Sequence, residues 1–379
     1  MRNDPFREQM LVEDIEQLEV FYRSKYGSTP INLSNWDPSK EFKAKANEVL
    51  FVPDDSDPIS YVFSFSIDAL NREALVVKLG GGSYNGCLIT PAGSVSIQCS
   101  VNLLYHLGIK RILLISPSYF SVRFSCQVFG IKVDEARLGR EKQTFSFDGD
   151  FSGIDAETAV WITNPIYCTS VYYSSEFLNA VQSLLDKGRW VCCDENLCVN
   201  GRELLRLWGK YDTFIGLYSP HKSICVNGKK FSATVFPKKY QAFMDRWADI
   251  LYGCLSVSCQ SAVHHFLSGN YSVYSDFVRK QNLQTKKYVL DLCDISNVQY
   301  DASSEGYLMT VYFPHIPSTK GNETLFLKKL LLNTGITCIP GSRNHFPKDC
   351  GFSFRINLCS DNAQFRAALV RIIRYLSLL

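Results

Sequence analysis

Four polar groups stand where apolar runs of this chain end. Asp194 closes the run WVCCD, and a carboxylate at the end of a buried strand is costly unless something positive meets it. Lys222 follows another such run in LYSPHKS; a lysine beside a crevice readily has its pKa lowered and can then act as an amine nucleophile. The turn TPAGSVS sets Thr90, Gly93 and Ser94 between a strand and a helix, so that backbone N–H groups and the helix dipole make an anion site suited to phosphate. In SPSYF, Tyr119 has a face to lay over a flat ring. Singly, each has a plain structural alternative: an ion pair or helix cap for Asp194, a solvated surface lysine for Lys222, core packing for Tyr119. Jointly, a phosphate cradle, a ring stack, a buried acid and a nucleophilic lysine are the parts needed to hold pyridoxal 5'-phosphate.

Hydrophobic spacing shows the elements that must position these groups. Between about Cys87 and Phe236, short apolar runs alternate with helix-length segments, the pattern of βαβ units on a mostly parallel sheet. CLIT, RILLIS, AVWIT, WVCCD, TFIGLYS and FSATVF read as strands buried on both faces. SVSIQCSVNLLYHLG and SSEFLNAVQSLLDKG read as crossover helices, the second opening on Ser174 or Ser175 as its cap. The result is a doubly wound α/β domain whose ligand crevice lies at the carboxyl ends of the strands.

Outside it, Leu11, Ile15, Leu18 and Tyr22 predict an amphipathic helix. INLSN after Pro30 is strand-like, the polar stretch with Pro38, Pro53 and Pro58 reads as a connection, and LNREALVVKLG is a helix ending at a glycine cluster. From about Lys238 to Asp294 the pattern is long and helical. Beyond it, YLMTVYF, GITCIPG and FSFRINLC alternate with helices, as in an α+β domain. The expected division is 1–50 as an N-terminal arm and part of a small domain, 51–255 as the large cofactor domain, and 256–379 as the rest of the small domain.

Composition excludes several classes. With 379 residues, 40 Lys plus Arg against 37 Asp plus Glu, and a net charge of +3 spread along the chain, there is no basic stripe for nucleic acid or a membrane surface. A 46% hydrophobic and 20% charged chain buries a large core. The N-terminus lacks a secretory core and no run approaches a membrane span. Fourteen cysteines without a CxxC pair read as buried reduced thiols, giving a cytoplasmic protein with no metal site. Gly80, Gly81 and Gly82 complete neither a P-loop nor a dinucleotide fingerprint, and the adjacent His264 and His265 diverge by about 100° on a helix, so one metal cannot take both.

From about Asn32 to the C-terminus, the chain resembles the fold type I pyridoxal-phosphate enzymes of the class I and II aminotransferases. ITNPIYCTS is similar to that family's Asn-Pro-x-Asn-Pro-Thr-Gly segment, CDENL to its Asp-Glu-x-Tyr, and SPHKSICVNGKK to its Ser-x-x-Lys loop followed by Gly and Arg. IPGSRNHF and FSFRINLC resemble the segments that precede and carry its substrate arginine. The resemblance implies a cofactor Schiff base on Lys222, Asp194 paired with the pyridine nitrogen, Tyr119 stacked on the ring, and Gly93, Ser94 and Ser219 at the phosphate. It gives Arg355 the substrate carboxylate through a bidentate bond. It implies a homodimer, with an aromatic such as Tyr61 supplied across the interface. Asn35 and Trp36 are expected in the arm covering the substrate or, equally, at the dimer interface.

Three positions depart from the pattern. Tyr167 and Leu197 replace the usual donors to the ring's phenolic oxygen, although the Tyr167 hydroxyl can donate. Lys230, with Lys229 as its alternative, replaces a phosphate-binding arginine and loses the bidentate fork. His221, beside Lys222, reads as a packed neighbour more than as a second acid/base. The resemblance implies transamination between an amino acid and a 2-oxo acid. The alternatives are a lyase, replacement or cyclisation enzyme of specialised amino-acid biosynthesis using the same cofactor, and a non-catalytic dimeric effector-binding protein.

Overall fold

The computed structural model describes residues 11–50, 69–198, 203–301, 306–317 and 323–379. Helix α1 (Leu11–Tyr26) forms where the apolar spacing places it and buries Ile15 and Leu18. Strand β1 (Ile31–Asn32) follows. The stretch after Pro38, expected as a connection, begins with helix α2 (Lys40–Leu50). Ser39 caps it by accepting the Phe42 N–H at 3.0 Å, and among its described side chains Phe42 and Ala46 are the buried ones, a stripe too thin to stand out among polar neighbours. Helix α3 (Ala69–Leu79) ends at the glycine cluster, where Gly80 has a φ of +97° that L side chains avoid.

The central domain then alternates as expected: β2 (Asn85–Thr90), α4 (Gly93–His106), β3 (Arg111–Ser116), α5 (Ser121–Val128), β4 (Lys132–Arg137), a hairpin of β5 (Gly139–Glu141) and β6 (Thr144–Ser146), β7 (Thr158–Thr163), α6 (Ser175–Asp186), β8 (Val191–Asp194), α7 (Glu203–Trp208), β9 (Phe214–Tyr218), the short α8 (Pro220–Ser223) and β10 (Ser232–Pro237). Seven strands form one sheet in the order β2-β10-β9-β8-β7-β3-β4. β4 was not legible because it is an edge strand with charged, half-buried residues, KVDEAR. Ser174 caps α6 by accepting the Phe177 N–H. From β4 to β9 the neighbours run parallel, with Thr163 opposite Asp194 and Asp194 opposite Leu217. β10 is antiparallel to both its neighbours, so its start, not its end, lies at the carboxyl edge of the others. Alternate side chains enter opposite layers: Val160, Ile162 and Cys193 face one core, Ala159, Trp161 and Cys192 the other.

Helices α9 (Gln241–Tyr252), α10 (Val257–Ser268) and α11 (Asn270–Ile295) come next. Helix α10 packs Cys259, Ala262, Val263 and Phe266 into the core of the large sheet. The remainder comprises β11 (Gln299–Tyr300), β12 (Leu308–Phe313), α12 (Glu323–Thr334), β13 (Ile336–Thr337), β14 (Phe352–Asn357) and α13 (Ala363–Ser377). β11, β12 and β14 make a three-stranded sheet, and β13 pairs in parallel with β1. Both chain ends therefore share one core, in which Leu18 and Leu33 meet Leu330, Phe354 and Ile372. All fourteen cysteines are free thiols and all but Cys254 are buried. Among the described residues, no helix is long and apolar enough to cross a membrane.

Two polar clusters tie the β4–β6 edge to the C-terminal portion. Buried Arg140 donates through Nε to Asp301 at 3.0 Å and lies over the Tyr312 ring at 3.7 Å, while the Tyr312 hydroxyl donates to the same carboxylate at 2.5 Å. Glu135 receives Arg123 at 2.6 Å and His345 at 3.2 Å. Removing one member of a buried pair strands the other charge. Asp301→Ala is therefore expected to cost about 3–5 kcal/mol, read as a lowered denaturation midpoint, with Asp301→Asn costing less.

Candidate active site

Five connections meet at the carboxyl edge of the sheet. The turn after β2 enters α4, the Ser116–Tyr119 loop follows β3, Thr163–Tyr167 follows β7, Asp194 ends β8, and Ser219–Lys222 follows β9. The antiparallel course of β10 brings Lys230 to the same edge. Between them is a cavity of about 170 Å³, lined by Gly93, Ser94, Tyr119, Tyr167, Asp194, Lys222 and Lys230, with Trp36 from the N-terminal arm and Thr163, Asn196, Leu197 and His221.

Burial sets its electrostatics. Asp194 is 3% exposed, and Oδ1 accepts the Asn196 N–H at 3.0 Å. Burial pushes its pKa up to about 6, against the pull of that bond and of Lys222. Burial likewise lowers the Lys222 amine to about 8, helped by the charges of Arg355 and Lys230 and opposed by Asp194. Low dielectric thus moves both groups toward their neutral forms. Lys222 Nζ sits 4.0 Å from the centre of the Trp36 ring and 5.8 Å from that of Tyr119. His221 is neutral: burial and Lys222 push it down to about 3, and its Nδ1 donates to the Phe231 carbonyl at 2.8 Å. It is a packed neighbour that also reaches the cavity wall.

The anion end is built from small groups. No side chain caps α4, which leaves its N-terminal N–H groups to other acceptors. A Cβ on Gly93 would approach Ser219 Oγ to 3.0 Å and Asn196 Nδ2 to 3.3 Å. Ser219 is buried and shares a short hydroxyl contact with Ser232. Thr90 does not reach the cavity, because its hydroxyl bonds Ser96 Oγ at 2.7 Å and the Ala92 carbonyl at 3.1 Å inside the turn. Of the two candidate lysines, Lys230 lines this cavity, whereas Lys229 lines a separate one and lies 3.4 Å from Ser261 Oγ.

Arg355 is buried on β14 beside the cavity. Its Nε and Nη2 donate to the Ser34 carbonyl at 3.0 and 2.9 Å, Nη1 lies 3.5 Å from the Tyr167 hydroxyl, and its guanidinium carbon is 4.3 Å from the Trp36 ring centre. Asn35 is exposed and turns its side chain to the Asp37 N–H at 3.2 Å, away from the cavity. Tyr61 lies outside the described residues. Sequence reasoning passed over Thr163 and Asn196. Their signal was adjacency, since Asn196 follows Asp194 by two residues and Thr163 is the register partner of Asp194 across the sheet.

These residues fit pyridoxal phosphate. Among the described residues, Oγ1 of Thr163 and Oδ1 of Asn196, two residues of the cavity lining, are buried without hydrogen-bond partners, and each such atom costs about 1–3 kcal/mol unless a ligand meets it. Together with an amine, an acid, the rings of Trp36, Tyr119 and Tyr167 and a side-chain-free helix start, they match a flat polar ring carrying a phosphate.

No protein-family model matches the sequence, and no curated protein matches it. Solved structures do. An aminotransferase from Mycobacterium tuberculosis superposes with a TM-score of 0.76 at 17% identity, over 97% of this chain and 96% of that one. The methionine aminotransferase YbdL from Escherichia coli gives 0.72 at 16% identity over 96% of both chains. The pyridoxal-phosphate-dependent cyclase OrfR gives 0.73 at 17% identity over 95% and 96%. The chain thus has the fold of the type I pyridoxal-phosphate enzymes along nearly its whole length, as the sequence motifs implied.

Gly93→Ala should weaken retention of pyridoxal phosphate by about tenfold, because the added methyl intrudes where Ser219 and Asn196 converge. Equilibrium dialysis measures this, and an unchanged melting temperature separates it from misfolding.

Proposed function

We propose that the protein is a pyridoxal-phosphate-dependent aminotransferase that moves an amino group between an amino acid and a 2-oxo acid. The observation that carries this reading is the convergence of the Lys222 amine, from the connection after β9, and the Asp194 carboxylate, from the end of β8, on one cavity with the open start of α4.

Lys222 would hold the cofactor by its amine, Asp194 would meet the pyridine nitrogen, Tyr119 would cover the ring, and Gly93, Ser94, Ser219 and Lys230 would hold the phosphate. The Tyr167 hydroxyl would serve the phenolic oxygen where Leu197 has no donor. When bound, pyridoxal phosphate supplies an electron sink for negative charge developing at the substrate Cα. The protein's own tasks are then positional and acid–base. A lysine with a pKa near 8 is available in its neutral form as the base that moves the α-proton. Arg355 would hold the α-carboxylate as a charge-assisted pair.

The reading extends to a cytoplasmic homodimer. The buried free thiols suit a reducing compartment, and Tyr61 is the aromatic proposed to cross the interface. It also takes the large domain as the cofactor domain and both chain ends as the small one, with the substrate reached through the arm at Trp36.

The test is spectroscopic. Protein mixed with pyridoxal phosphate should acquire a visible band that Lys222→Ala lacks, and a reactive amino acid should convert it to the pyridoxamine form with release of a 2-oxo acid. Turnover without pyridoxamine formation assigns the elimination or cyclisation chemistry that the likeness to OrfR also accommodates. No band in either protein overturns both and leaves an effector-binding role.

Uptake has a pH signature. The amine attacks only when neutral, so the rate of cofactor attachment should rise with pH through a midpoint near 8, not near the ordinary lysine value. Stopped-flow absorbance between pH 6.5 and 9.5 reads it. Asp194→Asn, which keeps the shape and removes the charge, should cut turnover by at least about 100-fold while leaving the fold intact.

A further inference from the structure

One aromatic side chain stands on both cationic groups of the site. The Trp36 ring centre is 4.0 Å from Lys222 Nζ and 4.3 Å from the Arg355 guanidinium carbon. The two cations are therefore no farther apart than the sum of those distances, and the half-buried indole fills the space they share. Under the function proposed above, on which this inference rests, an amino acid must put its nitrogen near Lys222 and its carboxylate on Arg355. The substrate and the indole compete for one place.

We propose that Trp36 is the specificity-determining stopper of the site. Its ring occupies the carboxylate position between Lys222 and Arg355, and only a ligand that carries a carboxylate displaces it. Two features make the ring movable without moving the arm. The Trp36 carbonyl is fixed by Asn227 Nδ2 at 2.8 Å and by the Cys225 thiol at 3.6 Å. The two residues before it are fixed at the backbone, Ser34 by Arg355 and Asn35 through its carbonyl by Asn357 Nδ2 at 2.7 Å. The side chain is thus left to turn about its own χ angles while the backbone stays in place.

Arg355 is prepared for the exchange. Its Nε and Nη2 stay on the Ser34 carbonyl, while Nη1 has only long contacts, 3.5 Å to the Tyr167 hydroxyl and 3.9 Å to Cys168 Sγ. A carboxylate offers this edge a charge-assisted bond in place of an aromatic face. An amine without a carboxylate gains nothing there and leaves the indole seated, so the stopper selects α-amino acids over simple amines.

Propanoate, a carboxylate with no amine to react, tests this by calorimetric titration of the protein after addition of pyridoxal phosphate. Trp36→Ala should bind it about tenfold more tightly than the wild type, the order of a lost cation–π contact. Trp36→Phe, with a smaller ring, should fall between and serves if the alanine variant does not fold. The double variant Trp36→Ala, Arg355→Gln should lose the gain. Wild-type protein should also show a change in tryptophan emission on saturation that Trp36→Phe lacks. Equal affinity in wild type and both single variants overturns the stopper, as does a gain that survives Arg355→Gln. A gain in propanoate binding without amino-acid turnover keeps the stopper and discards the proposed reaction.

Discussion

A carboxylate delivered to the interior by a fully buried strand is the constraint around which this molecule is arranged. Asp194 has an uncharged strand behind it and neighbours from two other strands on either side. The groups that make its burial tolerable are the Asn196 N–H and, farther off, the Lys222 amine. Lys222 in turn stands among Arg355 and Lys230. Three cations near one acid repel one another. An aromatic face and a backbone carbonyl offset part of that repulsion: Trp36 lies against two of the cations, and Ser34 takes two N–H groups of the guanidinium. The N-terminal arm therefore serves the electrostatics of the site as much as its shape.

The large sheet was legible because each central strand is buried on both faces and its apolar run has no competing explanation. The same logic fails at the margins. Edge strand β4 carries Lys132, Asp134, Glu135 and Arg137, helix α2 buries Phe42 and Ala46 among its described side chains, and the β5–β6 hairpin is three residues a side. None of these has a periodicity that rises above its polar background. The placement of α10 was hidden for another reason. A helix shows which face is apolar and does not show which of two cores receives it.

In the site, the sequence exposed the residues that follow strand ends, and the cavity contains Gly93, Ser94, Tyr119, Tyr167, Asp194, Lys222 and Lys230. It did not reveal the state of Arg355. That the guanidinium holds Ser34 is a matter of tertiary approach across more than three hundred residues. Nor did it separate Asn35 from Trp36, which are neighbours on an arm whose twist decides that one is exposed and the other faces the lysine. The choice between Lys229 and Lys230 depended likewise on which side of a turn enters β10.

Cys192 and Cys193 are adjacent in the chain, and the pleat sends them to opposite layers of the protein. Their sulfurs are thus separated by the thickness of the sheet, and both thiols are held far above their ordinary pKa by burial. Neighbouring cysteines elsewhere invite oxidation to a strained ring. Here that outcome would require the strand to give up its pleat. The strand that carries Asp194 thus keeps its two thiols apart by the same pleat that brings the acid to the edge of the sheet.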